Sequence, residues 1–236
     1  MSLLYSIVIP LKNEEGNISL LIQEVEEVMN GLQKPWELIC IDDGSTDQTL
    51  PILKDLSKNK PFLKVIAFNK NYGQSSAFAA GFEAAKGEYV ITLDGDRQND
   101  PRDIPMLIDE GKGYDLVCGR RKKRKDTLVK RLTSKLANAL RNYLLEDPVK
   151  DTGCSLKIYK KSCLQKIKMY NGMHRFLPAL FSIEGFSIKE VDVNHRPRTE
   201  GQTKYNFFNR SFNTIADLLA VRWMRKRVIN YRIKNG

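Results

Sequence analysis

At 236 residues the chain is long enough for one α/β domain with a full core and a terminal appendage, and too short for a second domain of similar size. Hydrophobic residues make up 42% and charged residues 28%, values that exclude wholesale disorder and an integral membrane protein. The net charge of +11 is concentrated: residues 119–135 hold nine basic residues against one acid, residues 218–236 hold six and no acid, and the remainder is mildly acidic. Those two segments are the ones expected to meet something anionic. Cys40, Cys118, Cys154 and Cys163 form no C-x-x-C pair, and only His174 and His195 could join them, so zinc spacing is lacking and a reducing compartment fits. The first ten residues read as a strand rather than a signal peptide. No window reaches 18 uncharged apolar residues, so no spanning helix is expected.

In chain order, apolar runs at 5–9, 38–41, 63–68 and 89–93 alternate with segments of helical period, the rhythm of a parallel sheet buried on both faces. Asn17 stands at the start of a helix whose Ile18, Leu21, Ile22, Val25 and Val28 share one face. Thr46 or Asp47 opens the next, and Pro101 suits the first turn of one reaching Glu110. A strand is expected at 114–118, then a basic stretch, a helix at 127–145, a return strand at 155–159, a short helix at 173–183 and a strand at 188–193. Residues 206–232 read as a helix with Phe208, Phe212, Ile215, Leu219 and Trp223 on one stripe and Arg222, Arg225, Lys226 and Arg227 crowding its far end. Such a helix either lies in a membrane interface or packs on its own domain. The expected division is a catalytic domain over 1–205 and an amphipathic basic helix over 206–236.

Ligands of a doubly wound sheet bind at the carboxyl ends of its strands. Three ends are rich in chemistry: Pro10-Leu11-Lys12-Asn13-Glu14, Asp42-Asp43-Gly44-Ser45-Thr46-Asp47, and Asp94-Gly95-Asp96-Arg97-Gln98. Clustered carboxylates repel unless a cation or hydrogen-bond donors intervene. Asp94 and Asp96, read as alternating across one extended residue, would both approach a single ion; oxygen ligands suit Mg²⁺ or Mn²⁺ with a diphosphate completing the shell. Asp42 or Asp43 can accept from a base N–H or ribose hydroxyls, whereas Asp47 reads as a helix cap.

This ordered set, together with Asn71-Tyr72-Gly73 before a small-residue helix, Asp151-Thr152-Gly153, and the run from His195-Arg196-Pro197-Arg198 through Gly201-Gln202-Thr203-Lys204, resembles the family 2 glycosyltransferases of GT-A fold, and among them the dolichyl- and polyprenyl-phosphate sugar synthases. The resemblance extends over nearly the whole chain. It implies a doubly wound, mostly parallel sheet with flanking helices and a C-terminal amphipathic helix. It places Asp94, Asp96 and Gln98 near the metal, Pro10, Glu14 and Asp42 or Asp43 around the nucleoside, and Arg198 and Lys204 on a loop that closes over the diphosphate. The nucleotide-sugar site so implied also takes in Gly95 and Lys12, which stands where many relatives carry an aromatic residue. Arg120, Lys130 or Arg131, and Ser134 are implied to meet the acceptor's phosphate.

The expected activity is therefore metal-dependent, inverting hexosyl transfer from a UDP- or GDP-linked sugar to an undecaprenyl- or dolichyl-type phosphate, at the inner, cytoplasmic face of an anionic membrane. A phosphate monoester is largely ionised near neutral pH, with a second pKa of about 6, so no strong general base is needed. A hydroxyl acceptor, soluble or glycolipid, would need one, and Asp151 is then the candidate; on the phosphate reading Asp151 is structural or touches the sugar. His195, beside Arg196 and Arg198, is expected to shape the loop or contact phosphate. A pI near 9.4 also meets the first criterion for nucleic-acid binding. That alternative lacks a recognition motif and leaves the acidic strand ends unexplained, so no nucleic-acid partner is expected.

Overall fold

The computed structural model describes residues 2–122, 149–197 and 207–229, with the backbone alone over 207–214. The helix expected at 127–145, the acceptor residues Lys130, Arg131 and Ser134, and the loop residues Arg198 and Lys204 lie outside the described residues, as do the side chains of Phe208 and Phe212.

The chain opens β1 (Tyr5–Leu11), α1 (Ile18–Gly31), β2 (Trp36–Asp42), α2 (Thr49–Asn59), β3 (Leu63–Ala67), α3 (Gln74–Ala84) and β4 (Tyr89–Thr92). A 3-10 turn (Pro101–Asp103) leads into α4 (Ile104–Glu110), followed by β5 (Leu116–Arg121), β6 (Lys157–Lys160), the short α5 (Lys161–Leu164), a second 3-10 turn (Met173–Arg175), α6 (Leu177–Ile183), β7 (Ile188–Val193) and α7 (Phe207–Arg227). Seven strands form one sheet in the order β3-β2-β1-β4-β6-β5-β7, and β6 alone runs antiparallel to its neighbours.

Alternation along the strands divides the core into two layers. In β1, Ile7, Ile9 and Leu11 join Leu38 and Cys40 of β2 beneath α1, α2 and α4, while Val8 joins Ile39 and Ile41 beneath Ala77, Phe78 and Phe82 of α3. Both faces are covered, which is why these strands read as unbroken apolar runs. Each fully buried aliphatic side chain contributes about 1.5–3 kcal/mol through area removed from water. Pro10 is tolerated in this central strand because β4 pairs with β1 only as far as Thr92↔Val8. Its missing N–H therefore falls beyond its neighbour's end. All four cysteines are buried free thiols.

Two expectations about boundaries are corrected. The strand expected at 114–118 runs instead over Leu116–Arg121, so it carries Arg120 and Arg121 into the sheet. Pro101 opens a 3-10 turn rather than the α-helix itself, with Asp100 accepting from the Arg102 N–H at 3.0 Å. The C-terminal helix packs through Leu218, Val221 and Met224 on Met173, Phe176, Ala179 and Leu180. The face read as its apolar stripe points elsewhere: Ile215, Leu219 and Trp223 are 55%, 56% and 63% exposed. Among the described residues no helix is long and apolar enough to cross a membrane.

Candidate functional site

After β3 the chain passes back over β1, so β1 lies between β2 and β4 and the strand order reverses there. A crevice opens at the carboxyl ends on either side of such a switch point. The loops after β1, β2 and β4 meet at it.

The first two are laced together. Asn13, with φ of 52°, donates its backbone N–H to Ser45 Oγ at 2.9 Å and accepts the Thr46 N–H at 2.8 Å; the Glu14 N–H meets Thr49 Oγ1 at 2.8 Å. Lys12 donates to the Gly44 carbonyl, and Glu14 accepts from Asn17 Nδ2 at 2.9 Å. Asn17 thus sits at the cap position of α1 without capping by its side chain. Gln48 occupies the cap position of α2 without capping by its side chain, and Asp47, one residue earlier, takes the Thr49 N–H at 3.0 Å. Gly44 is required: its φ is +64°, and a Cβ there would fall 2.4 Å from the Lys70 carbonyl carbon.

The paired aspartates divide their work. Asp43 accepts the N–H groups of Tyr72 at 2.7 Å and Gly73 at 2.9 Å, so its carboxylate holds the turn that begins α3. Asp42 takes the Ser45 N–H through Oδ2 at 3.2 Å, while its buried Oδ1 has no hydrogen-bond partner. An orphaned buried acceptor costs about 1–3 kcal/mol and suits a ligand N–H or O–H. Of the two candidates for the nucleoside, Asp42 has the oxygen to offer.

The aspartates after β4 do not alternate along an extended strand. β4 ends at Thr92, Gly95 and Asp96 lie in a turn, and Arg97 is left-handed with φ of 57°. Asp96 Oδ1 accepts the Gln98 N–H at 3.2 Å, folding the turn on itself. Gly95 allows it to close on β1, since a Cβ would meet Leu11 Cδ2 at 2.5 Å and Glu14 Cγ at 3.3 Å. Burial, then the Asp96 charge, pushes the Asp94 carboxyl up to about 6, against Ser155, Lys157 and Arg121. Two carboxylates in mutual repulsion at a crevice fit a divalent cation. Among the described residues no third His, Cys, Asp or Glu completes a cage, so oxygens of a ligand would fill the remaining positions.

Several neighbours escaped the sequence reading. Gln74, the first residue of α3, donates to Asp94 Oδ1 at 2.9 Å. Lys157, 4% exposed, rests its ammonium on the carbonyls of Cys154 and Thr152. Arg121 grips Asp151 in a bidentate pair, Nε to Oδ2 and Nη2 to Oδ1, both at 2.7 Å with each side chain 13% exposed. No motif marks Gln74 or Lys157, and Arg121 was hidden by the wrong end of β5. Arg120, on the opposite face of that strand, holds Asp192 at 2.6 Å, and Glu190 lies 3.8 Å away.

The segment leading to Arg198 is tied to the same turn. Asn99 bridges His195, and the Arg196 N–H reaches the Gln98 carbonyl at 2.9 Å. Arg196 also pairs with Glu24 at 2.8 Å and Asp100 at 2.6 Å, and Arg97 meets Glu24 at 2.6 Å. Burial opposes the charge on Glu24, but the two arginines hold its carboxyl below the usual range. Ser75 and His174 form a separate contact at 2.6 Å, Oγ to Nδ1.

Comparison with known proteins agrees with this architecture. The chain is 39% identical over 226 residues to a dodecaprenyl-phosphate galacturonate synthase of Rhizobium johnstonii, covering 93% of this chain and 67% of that protein. It is 36% identical over 216 residues to an undecaprenyl-phosphate 4-deoxy-4-formamido-L-arabinose transferase of Pectobacterium carotovorum subsp. carotovorum, covering 91% and 66%. The chain thus spans about two thirds of the length of these curated relatives. The crystal structure of glucosyl-3-phosphoglycerate synthase from Mycobacterium tuberculosis in complex with Mn²⁺, UDP and glucosyl-3-phosphoglycerate superimposes with a TM-score of 0.68 at 19% identity, covering 96% of this chain and 81% of that one. At that identity the likeness is one of fold, the GT-A fold. The family model for Glycosyl transferase family 2 matches residues 6–168, and with these relatives it shows that the chain belongs to that family.

Proposed function

We propose that the protein transfers a sugar from a nucleoside-diphosphate sugar to a polyprenyl phosphate, with inversion, at a membrane surface. The observation that carries the reading is the Asp94–Asp96 turn at the end of β4, together with the orphaned oxygen of Asp42 at the end of β2. The names of the two relatives above supply the acceptor class. Asp94 and Asp96, with Gln98 following, would hold Mg²⁺ or Mn²⁺, which when bound neutralises charge on the donor's diphosphate.

Asp42 Oδ1 takes a donor from the nucleoside, while Pro10, Lys12 and Glu14 border it from β1 and Gly95 keeps the metal turn close. Arg198 and Lys204 are assigned to the diphosphate, where they stabilise the leaving nucleotide as its charge grows. An acceptor phosphate oxygen forms the new bond to the anomeric carbon as the bond to the diphosphate oxygen breaks. The ionised acceptor needs no base. Asp151, with both oxygens committed to Arg121, is poorly placed to serve as base for a hydroxyl acceptor. Lys130, Arg131 and Ser134 are assigned to the acceptor phosphate, as is Arg120, whose Nε and Nη2 are held by Asp192.

The exposed Ile215, Leu219 and Trp223, with Arg222, Arg225, Lys226 and Arg227 on the same helix, form an apolar face edged by cations, suited to an anionic bilayer at the cytoplasmic side. The test combines UDP- and GDP-sugars, Mn²⁺ and a short polyprenyl phosphate. The expected product is a polyprenyl-phosphate sugar with inverted anomeric configuration, and binding to neither nucleotide class, or transfer to hydroxyl acceptors alone, overturns the proposal.

A further inference from the structure

Asp94 is held from the start of α3 by a group that carries no charge. Gln74 Nε2 donates to Asp94 Oδ1 at 2.9 Å. The backbone that presents Gln74 is itself fixed: Asp43 takes the N–H groups of Tyr72 at 2.7 Å and Gly73 at 2.9 Å, and Asn71 Oδ1 takes the Gly73 N–H at 2.9 Å. The end of β2 therefore sets the first turn of α3, and that turn reaches the end of β4. A lysine or arginine here would neutralise Asp94 and compete with a cation. An amide donor fixes the rotation of the carboxylate and leaves its charge in place.

We infer that Gln74 is a positioning residue for the divalent cation, holding Asp94 in the orientation that ligates it, and that Asp43 serves the same end by anchoring the turn that carries Gln74. The inference rests on the proposed metal role of Asp94 and Asp96. Outer partners of this kind typically contribute about 10–100-fold to metal affinity.

The experiment reads free Mn²⁺ by electron paramagnetic resonance as protein is added, with UDP and with GDP in parallel, for the wild type, Gln74→Ala and Gln74→Leu. Leucine preserves most of the bulk and removes the donor. Both variants should bind Mn²⁺ at least about tenfold more weakly than the wild type, with unchanged melting temperatures and unchanged nucleotide binding in EDTA. Affinity within twofold of the wild type in either variant overturns the role of Gln74. A parallel collapse of melting temperature in both variants assigns the residue to stability alone and overturns it equally. Wild-type protein that takes up no Mn²⁺ with either nucleotide removes the metal reading itself, and this inference with it.

Discussion

Replacing Asp94 by asparagine sets ligand binding against the stability of the empty fold. Burial and the neighbouring Asp96 raise this carboxyl from its ordinary 3.8 to about 6. At about 1.36 kcal/mol per pH unit the ionised form costs the fold about 3 kcal/mol, and partial solvent screening reduces this to roughly 1–2 kcal/mol. Because the folded pKa lies above the unfolded one, the native state holds this proton more tightly. The cost is absent below pH 3.8, grows as pH rises, and is fully present above about pH 6. Asparagine keeps the local bonds: Gln74 can donate to its amide oxygen, and Ser155, which donates to Asn99 at 2.5 Å, can accept from its nitrogen. In urea unfolding with EDTA at about pH 7.5, Asp94→Asn should therefore be roughly 1–2 kcal/mol more stable than the wild type, with the gap narrowing near pH 4.5. Added Mn²⁺ and nucleotide should raise the midpoint of the wild type and leave the variant unmoved. A variant less stable at the higher pH, or a gap of equal size at both, would refute the reasoning.

Asp96→Ala should abolish sugar transfer in a radiolabelled-donor assay while circular dichroism and melting stay at wild-type values; retained turnover defeats the metal assignment. Asp151→Asn leaves Arg121 buried without its charged partner and should cost about 3–5 kcal/mol in urea unfolding, whereas a loss below 1 kcal/mol would show that the pair is dispensable. Gly44→Ala forces a Cβ against the Lys70 backbone and should lower stability by about 2 kcal/mol or more, together with nucleotide affinity measured calorimetrically. Leu219→Ser with Trp223→Ser should abolish co-sedimentation with anionic vesicles without changing the melting temperature, since both side chains face solvent; undiminished binding would separate this helix from the membrane.

The parallel half of the fold was legible because strands buried on both faces and helices buried on one leave distinct periods, and because turns such as Asp42 to Ser45 sit where strands must end. What was misread depended on contacts distant in sequence. Asp94 and Asp96 share a pattern that suits an extended strand, but the close approach of Leu11 and Glu14 to Gly95 makes it a turn. The basic run after residue 118 was placed wholly outside the strand because lysines and arginines give no strand signal. Pairing with β7, which places Arg120 opposite Asp192, extends β5 into it. Nor could a sequence say which of Asp42 and Asp43 is committed: the N–H groups that occupy Asp43 belong to residues 72 and 73. The stripe on the C-terminal helix was legible as a stripe, but whether it turned toward the domain depended on which neighbours Leu218 and Val221 had found.

That helix is fastened along one side, and this fixes more than its own position. A chain tethered by a loose tail can tumble above whatever it is tethered to. Here Leu218, Val221 and Met224 lock the helix to α6, so a surface that engages Ile215, Leu219 and Trp223 also dictates the tilt and heading of the body behind them. Single side chains at that seam, Leu218 above all, would then set how the molecule is aimed, without contributing to how tightly it is held.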